Sequence, residues 1–193
     1  MTDSVTGKSL TKRERLVDSA QALIHEQGVH RTTLADIAER AEVPLGNVYY
    51  YFKSKDELIG AVLDSYRKEA AALTRAFERH RSPQARLKAL VQNWSDMRDT
   101  VARHGCPMGT LCTELDKTES GRDRDAAAVM AIIIDWAEDQ FRQLGRRDAH
   151  DLAVALFAGI QGAALLANTF RDPAILTRQG RHLERWIDTV ARA

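Results

Sequence analysis

Pro44 to Lys55 reads PLGNVYYYFKSK: a proline, a leucine and a glycine, then Tyr49, Tyr50 and Tyr51 side by side, then Phe52 and two lysines around Ser54. Consecutive residues of an α-helix point about 100° apart, so three adjacent rings cannot all enter one core. In a helix over this stretch Val48 and Phe52, four apart, share the core-facing side. Tyr49 lies beside that stripe, while Tyr50 and Tyr51 turn away from it. The outward rings therefore need a partner other than the core.

Upstream, Thr33-Leu34-Ala35-Asp36 matches a capping pattern and starts a short helix with Ile37 and Ala38 as buried candidates. Downstream, Ser54-Lys55-Asp56-Glu57 is a second capping box, opening a longer helix with Leu58, Ile59, Val62, Leu63, Tyr66, Leu73 and Phe77 along one side. Residues 33–52 thus form a capped short helix, a break at AEVPLG and a second short helix. This is the geometry of a helix-turn-helix, whose second member fits the roughly 12 Å major groove of DNA.

The remaining segments, divided by only four prolines and eleven glycines, repeat apolar residues at spacings of three and four with no sustained period of two. The chain reads as all-α with about nine helices. A three-helix head begins with the stripe Leu16, Val17, Ala20, Leu23 and Ile24, and a larger helical body follows. In the body, one helix is expected to run from Pro83 through Leu87, Leu90, Val91, Trp94 and Val101 to His104. A short helix and a loop over 105–125 precede a helix marked by Val129, Ile133, Trp136, Ala137, Phe141 and Leu144. The segment 148–170, DAHDLAVALFAGIQGAALLANTF, is apolar on two sides and is expected to be buried on both. A last helix follows Asp172-Pro173. The expected domains are 1–54 and 55–193.

The net charge of +1 supplies no strong overall field toward nucleic acid. In residues 1–56 eight basic residues meet eight acidic ones, so any attraction for DNA is local, with Lys8, Lys12, Arg13 and Arg15 as a basic approach to the first helix. No uninterrupted apolar run reaches the roughly 18 residues of a membrane span, and the first residues are polar. A cytoplasmic protein with no membrane partner is expected. Cys106 and Cys112, spaced C-x5-C, match neither a zinc half-site nor a dithiol redox motif. No phosphate-binding glycine loop, H-E-x-x-H or G-x-S-x-G is present, so neither an enzyme nor a cofactor is expected.

Each residue of the head has a chemistry suited to DNA. A tyrosine can rest its ring on neighbouring backbone and offer its hydroxyl to a phosphate oxygen, a contact that positions without reading sequence. Reading falls to the first turn of the second helix: Gly46 permits close backbone approach, Leu45 can touch a thymine methyl, and Asn47 can pair with an adenine edge. Lys55 and Thr33 sit in or just before first helical turns, where amide groups and side chain together hold a phosphate.

The run TTLADIAERAEVPLGNVYYYFKSKDELIGAVL resembles the DNA-binding region of the tetracycline-repressor (TetR) family of transcriptional regulators, with Thr33, Ile37, Ala38, Gly46, Tyr49, Phe52, Lys55 and Leu58 in matching places. The resemblance implies DNA contacts at Thr33, Leu45, Gly46, Asn47, Tyr49, Tyr50, Tyr51 and Lys55. It also implies a homodimer on a double-stranded, pseudo-palindromic operator and an unknown small-molecule effector in the body, with repression as the default. Two positions depart from the pattern: Glu42 replaces the usual turn glycine, and Pro44 replaces the usual serine or threonine cap. The segment HGCPMGTLCTEL is similar to one shared by a branch of such regulators.

Helices around 150–168 and 174–191 are the candidates for a four-helix interface between two copies, with Ala155, Gly159, Gly162 and Ala163 allowing close approach. Effector-pocket candidates are Tyr66, Trp94, Met97, Met108, Cys112, Met130, Phe157 and Gln161, bulky, adaptable or hydrogen-bonding groups on body helices. Cys106 and Cys112 are also candidates for sensing electrophiles, with inert packing as the plainer role. His104, Cys106, Cys112 and Glu114 match no established metal-site spacing, and no metal is expected. The alternative to a DNA-binding regulator is a helical ligand-binding or thiol-sensing module without sequence-specific DNA binding.

Overall fold

Three of the first four helices begin where a side chain caps them. The computed structural model describes residues 10–116 and 121–192, leaving Lys8 of the basic approach outside. α1 (Lys12–Gln27) follows Thr11, whose hydroxyl accepts the Glu14 N–H at 3.2 Å while the Glu14 carboxylate accepts the Thr11 N–H at 2.8 Å. The same reciprocal pair, Thr33 with Asp36, starts α2 (Leu34–Arg40). α3 (Leu45–Tyr51) starts without a side-chain cap, after Pro44 at φ −53°. α4 (Lys55–Phe77) has half of the expected capping box: Ser54 accepts the Glu57 N–H at 3.1 Å, but the Glu57 carboxylate accepts from the Lys53 N–H at 2.7 Å.

The chain divides into two units, 1–62 and 63–193, with the division inside α4. In the first, Leu16, Ala20, Ile37, Val48, Phe52, Leu58 and Val62 are fully or almost fully buried, so α1, α2, α3 and the start of α4 share one small core. Bidentate bonds from Arg40 to Glu26, 2.6 and 2.8 Å, tie α2 to α1.

The second unit contains α5 (Pro83–Asp96), α6 (Arg98–His104), α7 (Pro107–Leu115), α8 (Asp123–Gln143), α9 (Ala149–Phe170) and α10 (Ala174–Val190). The described residues thus hold ten helical segments, or nine if α5 and α6 count as one bent helix. The expected single helix from Pro83 to His104 breaks at Met97, φ −85° and ψ 5°. Two residues earlier, Ser95 Oγ bonds back to the Val91 carbonyl at 3.3 Å, a local pattern that bends helices. α10 also approaches closely here: a Cβ at Gly180 would lie 2.5 Å from the Ser95 Oγ.

The core of this unit joins Leu87, Leu90, Trp94, Val101, Ile133, Phe141, Leu156, Ile160, Leu183 and Ile187. Phe141 is completely buried, and truncation of such a ring to alanine costs about 3–5 kcal/mol. Arg67 bridges α4 to α8 through Asp125 at 2.9 Å, and Glu78 accepts from the Trp136 indole at 2.7 Å and pairs with Arg86 at 2.9 Å.

α9 was expected to be covered on two sides, and a single chain covers only one. Leu156, Ile160, Ala163, Ala164 and Ala167 are buried, whereas Val154, Leu165, Leu166 and Phe170 lie exposed, Leu165 by 66% and Phe170 by 68%. Of the small residues assigned to an intermolecular contact, Ala155 and Gly162 are on the exposed side, but Ala163 is buried. Gly159 packs within the chain, where a Cβ would meet Leu183 at 3.1 Å. By length and composition alone α9 could cross a membrane, with mean hydropathy 1.6 over its most apolar window. That apolarity belongs to a core helix whose second face is also apolar.

Candidate nucleic-acid interface

The turn between α2 and α3 follows from backbone hydrogen bonding. The Val43 N–H reaches the Ala38 carbonyl at 2.9 Å and the Glu42 N–H reaches Glu39 at 3.1 Å, the paired bonds of a Schellman ending. That ending requires a left-handed residue, and Glu42 supplies it at φ 53° where glycine is the usual solution. The departure read in the sequence is therefore a strained position. Val43 is buried behind it, and Pro44 sets α3 on its course.

α3 buries Val48 and, just past its end, Phe52, and thereby presents its opposite face. Leu45 is 44% exposed, Tyr49 51% and Tyr50 77%, with Gly46 and Asn47 exposed between them. Nothing lies within 4 Å of where a Gly46 Cβ would stand, so the backbone is open to an approaching surface. The tyrosines divide differently from the expectation. Tyr51 is half-buried and meets Tyr50 edge-on, 5.0 Å between centroids at 89°, whereas Tyr49 is the second outward ring. On a helical wheel centred between Val48 and Phe52, Tyr49 and Tyr51 are equally displaced to either side, so periodicity leaves their burial to the packing of neighbouring elements.

Thr33 is exposed, and its hydroxyl accepts the Asp36 N–H at 3.1 Å. The Thr33 N–H, donating to Asp36 at 2.8 Å, is the main reason that carboxyl is held below its ordinary range, with Lys55 adding to the effect. Lys55 is half-buried and donates to the Val29 carbonyl, so its amine ties the start of α4 to the α1–α2 loop. The basic approach is partly engaged as well: the Arg13 guanidinium stands 5.0 Å over the Phe52 ring, and Arg15 lies 3.9 Å from Glu42. Lys53, which the motif reading passed over, donates to the Tyr49 carbonyl at 2.9 Å and places a cation at the end of α3. Its spacing of four from Tyr49 was the available signal.

In the larger unit, Tyr66, Trp94, Met97 and Met108 come together around a cavity of about 240 Å³. Glu69, Asn93, Leu73 and Pro107 also line it and were not anticipated, although Glu69 follows Tyr66 by one turn of α4 and Asn93 adjoins Trp94. The other four candidates are not among its lining residues. Phe157 meets Trp94 edge-on at 6.0 Å, Gln161 donates to the Cys106 sulfur at 3.5 Å, and Met130 packs against the core. The Cys112 thiol donates to the Ala126 carbonyl at 3.4 Å, and burial, followed by the Asp116 charge, pushes its pKa up to about 11. At neutral pH that thiol is protonated, the opposite of activation for sensing.

Residues 16–62 match the family model described as bacterial regulatory proteins, tetR family, and residues 83–182 match that of the transcriptional regulator LmrA/YxaF-like C-terminal domain. An uncharacterized HTH-type transcriptional regulator of Mycobacterium tuberculosis is 31% identical over 169 residues, covering 83% of this chain and 86% of that one. The HTH-type transcriptional regulator TtgR of Pseudomonas putida is 28% identical over 188 residues, 92% of this chain and 88% of its own. The fold is similar to a TetR transcriptional regulator from Legionella pneumophila, with TM-score 0.83 at 20% identity over 95% and 98% of the two chains. It is similar also to E. coli NemR in its reduced form, with TM-score 0.78 at 22% identity over 91% and 96%. An exposed α3 on a capped helix-turn-helix, joined through α4 to a helical body, is thus found together with matches over both parts of the sequence, and the chain belongs to the tetR family of helix-turn-helix transcriptional regulators.

Proposed function

We propose that this protein is a homodimeric repressor that holds a pseudo-palindromic operator and releases it when a small molecule enters the cavity beside Tyr66. The observation that carries the DNA half of this reading is the exposed row Leu45, Gly46, Asn47, Tyr49 and Tyr50 on α3. Leu45 and Asn47 touch base edges in the major groove, Tyr49 and Tyr50 give hydroxyls to phosphates, and Thr33, Tyr51 and Lys55 hold the frame at its edges. Dimerisation rests on the exposed apolar residues Val154, Leu165, Leu166 and Phe170 of α9. Two-fold symmetry then places the two half-sites about 34 Å apart.

α4 is one helix that starts at Lys55 and carries Tyr66 and Glu69 into the cavity wall. A ligand that binds one state of this helix better than another shifts the population, and ligand and operator must then weaken each other equally. Selection of bound duplexes from a random pool tests the reading. Inverted repeats one helical turn apart are expected, and Asn47→Ala should relax one or two base pairs in each half-site by about 1–3 kcal/mol. Recovery of unrelated sequences, or an unchanged preference in the variant, refutes it.

A further inference from the structure

We infer that the effector of this cavity is an apolar molecule carrying a carbonyl-type oxygen, and that the Tyr66 hydroxyl selects it by donating a hydrogen bond to that oxygen; the inference rests on the cavity being the effector site. Tyr66 is 5% exposed, and among the described residues nothing accepts from or donates to its hydroxyl. Nor is that oxygen sealed in the core. Among the described residues, the one buried polar side-chain atom that lacks a partner and is shut off from open space is Arg15 Nε. The open space that Tyr66 lines is this cavity. A hydroxyl left unpaired on a buried ring costs the fold free energy, and an acceptor brought by a ligand recovers it.

The wall also fixes which polarity the ligand must have. Trp94, 4% exposed, lines the same cavity, and its indole N–H, which can only donate, likewise has no hydrogen-bond partner among the described residues. A phenolic hydroxyl is a better donor than acceptor, because the ring draws in its lone pair. Burial, ahead of any neighbouring charge, pushes the pKa of the Tyr66 phenol up, so its proton stays in place at neutral pH. Both groups therefore call for an acceptor. Around them Ala70, Leu73, Pro107 and the adaptable thioethers of Met97 and Met108 present apolar surface to the rest of the ligand. A ligand of the same shape without an acceptor displaces water from the donors and gives them nothing in return. The volume of about 240 Å³ corresponds to roughly eight water volumes at ~30 Å³ each, room for a ligand on the order of ten non-hydrogen atoms.

Equilibrium dialysis of the full chain in the absence of DNA tests this with two probes of matched shape. They are 4-phenylbutan-2-one and 2-methyl-4-phenylbut-1-ene, in which a methylene group replaces the carbonyl oxygen. Each is measured on the parent and on Tyr66→Phe, which keeps the ring and removes the hydroxyl alone. The ketone should lose about fivefold in affinity in the variant and the alkene none, so the ratio of the two, in which the cost of taking each probe out of water cancels, falls about fivefold. Without a probe, Tyr66→Phe should unfold at a temperature no lower than the parent, since among the described residues the hydroxyl bonds nothing. An unchanged ratio, a variant less stable than the parent, or a ketone that does not bind overturns the inference. Operator affinity with and without the ketone separates the two readings. Weakened operator binding with an unchanged ratio refutes the carbonyl contact alone, whereas a shifted ratio with operator binding unaffected refutes the effector role of the cavity.

Discussion

Glu42→Gly should stabilise the head. Glu42 holds a left-handed backbone, φ 53°, that costs an L-residue about 1–2 kcal/mol and glycine almost nothing. Against that gain, the greater freedom of glycine in the unfolded chain takes back about 0.4–1 kcal/mol. The Arg15–Glu42 pair, 3.9 Å apart with the Glu42 side chain 88% exposed, contributes about a few tenths of a kcal/mol. The remainder is about 0.5 kcal/mol in favour of glycine. Glu42→Ala supplies the control, because it loses the ion pair and keeps the strain, and should fall a few tenths of a kcal/mol below the parent.

Thermal unfolding followed by far-ultraviolet circular dichroism measures the difference. All three tryptophans, Trp94, Trp136 and Trp186, lie beyond residue 62, so indole fluorescence follows the larger unit alone and gives an internal reference. A gap of about 0.8 kcal/mol between the two variants corresponds to about 3–6 °C for a unit of this size. A glycine variant no more stable than the alanine variant would show that the left-handed turn is not strained, and the argument from the Schellman ending would fall.

Tyr50→Ala should weaken binding to every duplex by a similar factor with its sequence preference retained, since a phosphate contact carries no base information; a changed preference, read from selected duplexes, would assign Tyr50 to the groove instead. Leu165→Asp places a charge on the exposed apolar face of α9 and should give monomers in analytical ultracentrifugation together with loss of operator affinity. A variant that stays dimeric would move the interface elsewhere.

The helix-turn-helix was legible because its signals are local. Thr33 and Asp36 cap each other within one turn, Val48 and Phe52 repeat at four, and Ser54 accepts from Glu57, all within reach of short-range rules. The break at Met97 was not, since α10 approaches Ser95 at Gly180, a residue far away in sequence. Glu69 and Asn93 were missed for a related reason. A charged residue and an amide carry no periodic signal of their own, and only the folding of α4 against α5 and the Met97–Met108 segment turns them into walls of one cavity.

The sequence by itself determined the all-helical class, the three-element head and the exposed character of α3, because helix caps and a period of 3.6 are properties of neighbours along the chain. It also marked α9 as apolar on two faces. Only the tertiary structure decided which of the flanking tyrosines is sheltered, Tyr51 rather than Tyr49, since both stand equally far from the Val48–Phe52 stripe. Only the tertiary structure, too, decided which face of α9 is left open. A helical period specifies directions around an axis, and what occupies each direction depends on segments that the chain brings there from far away.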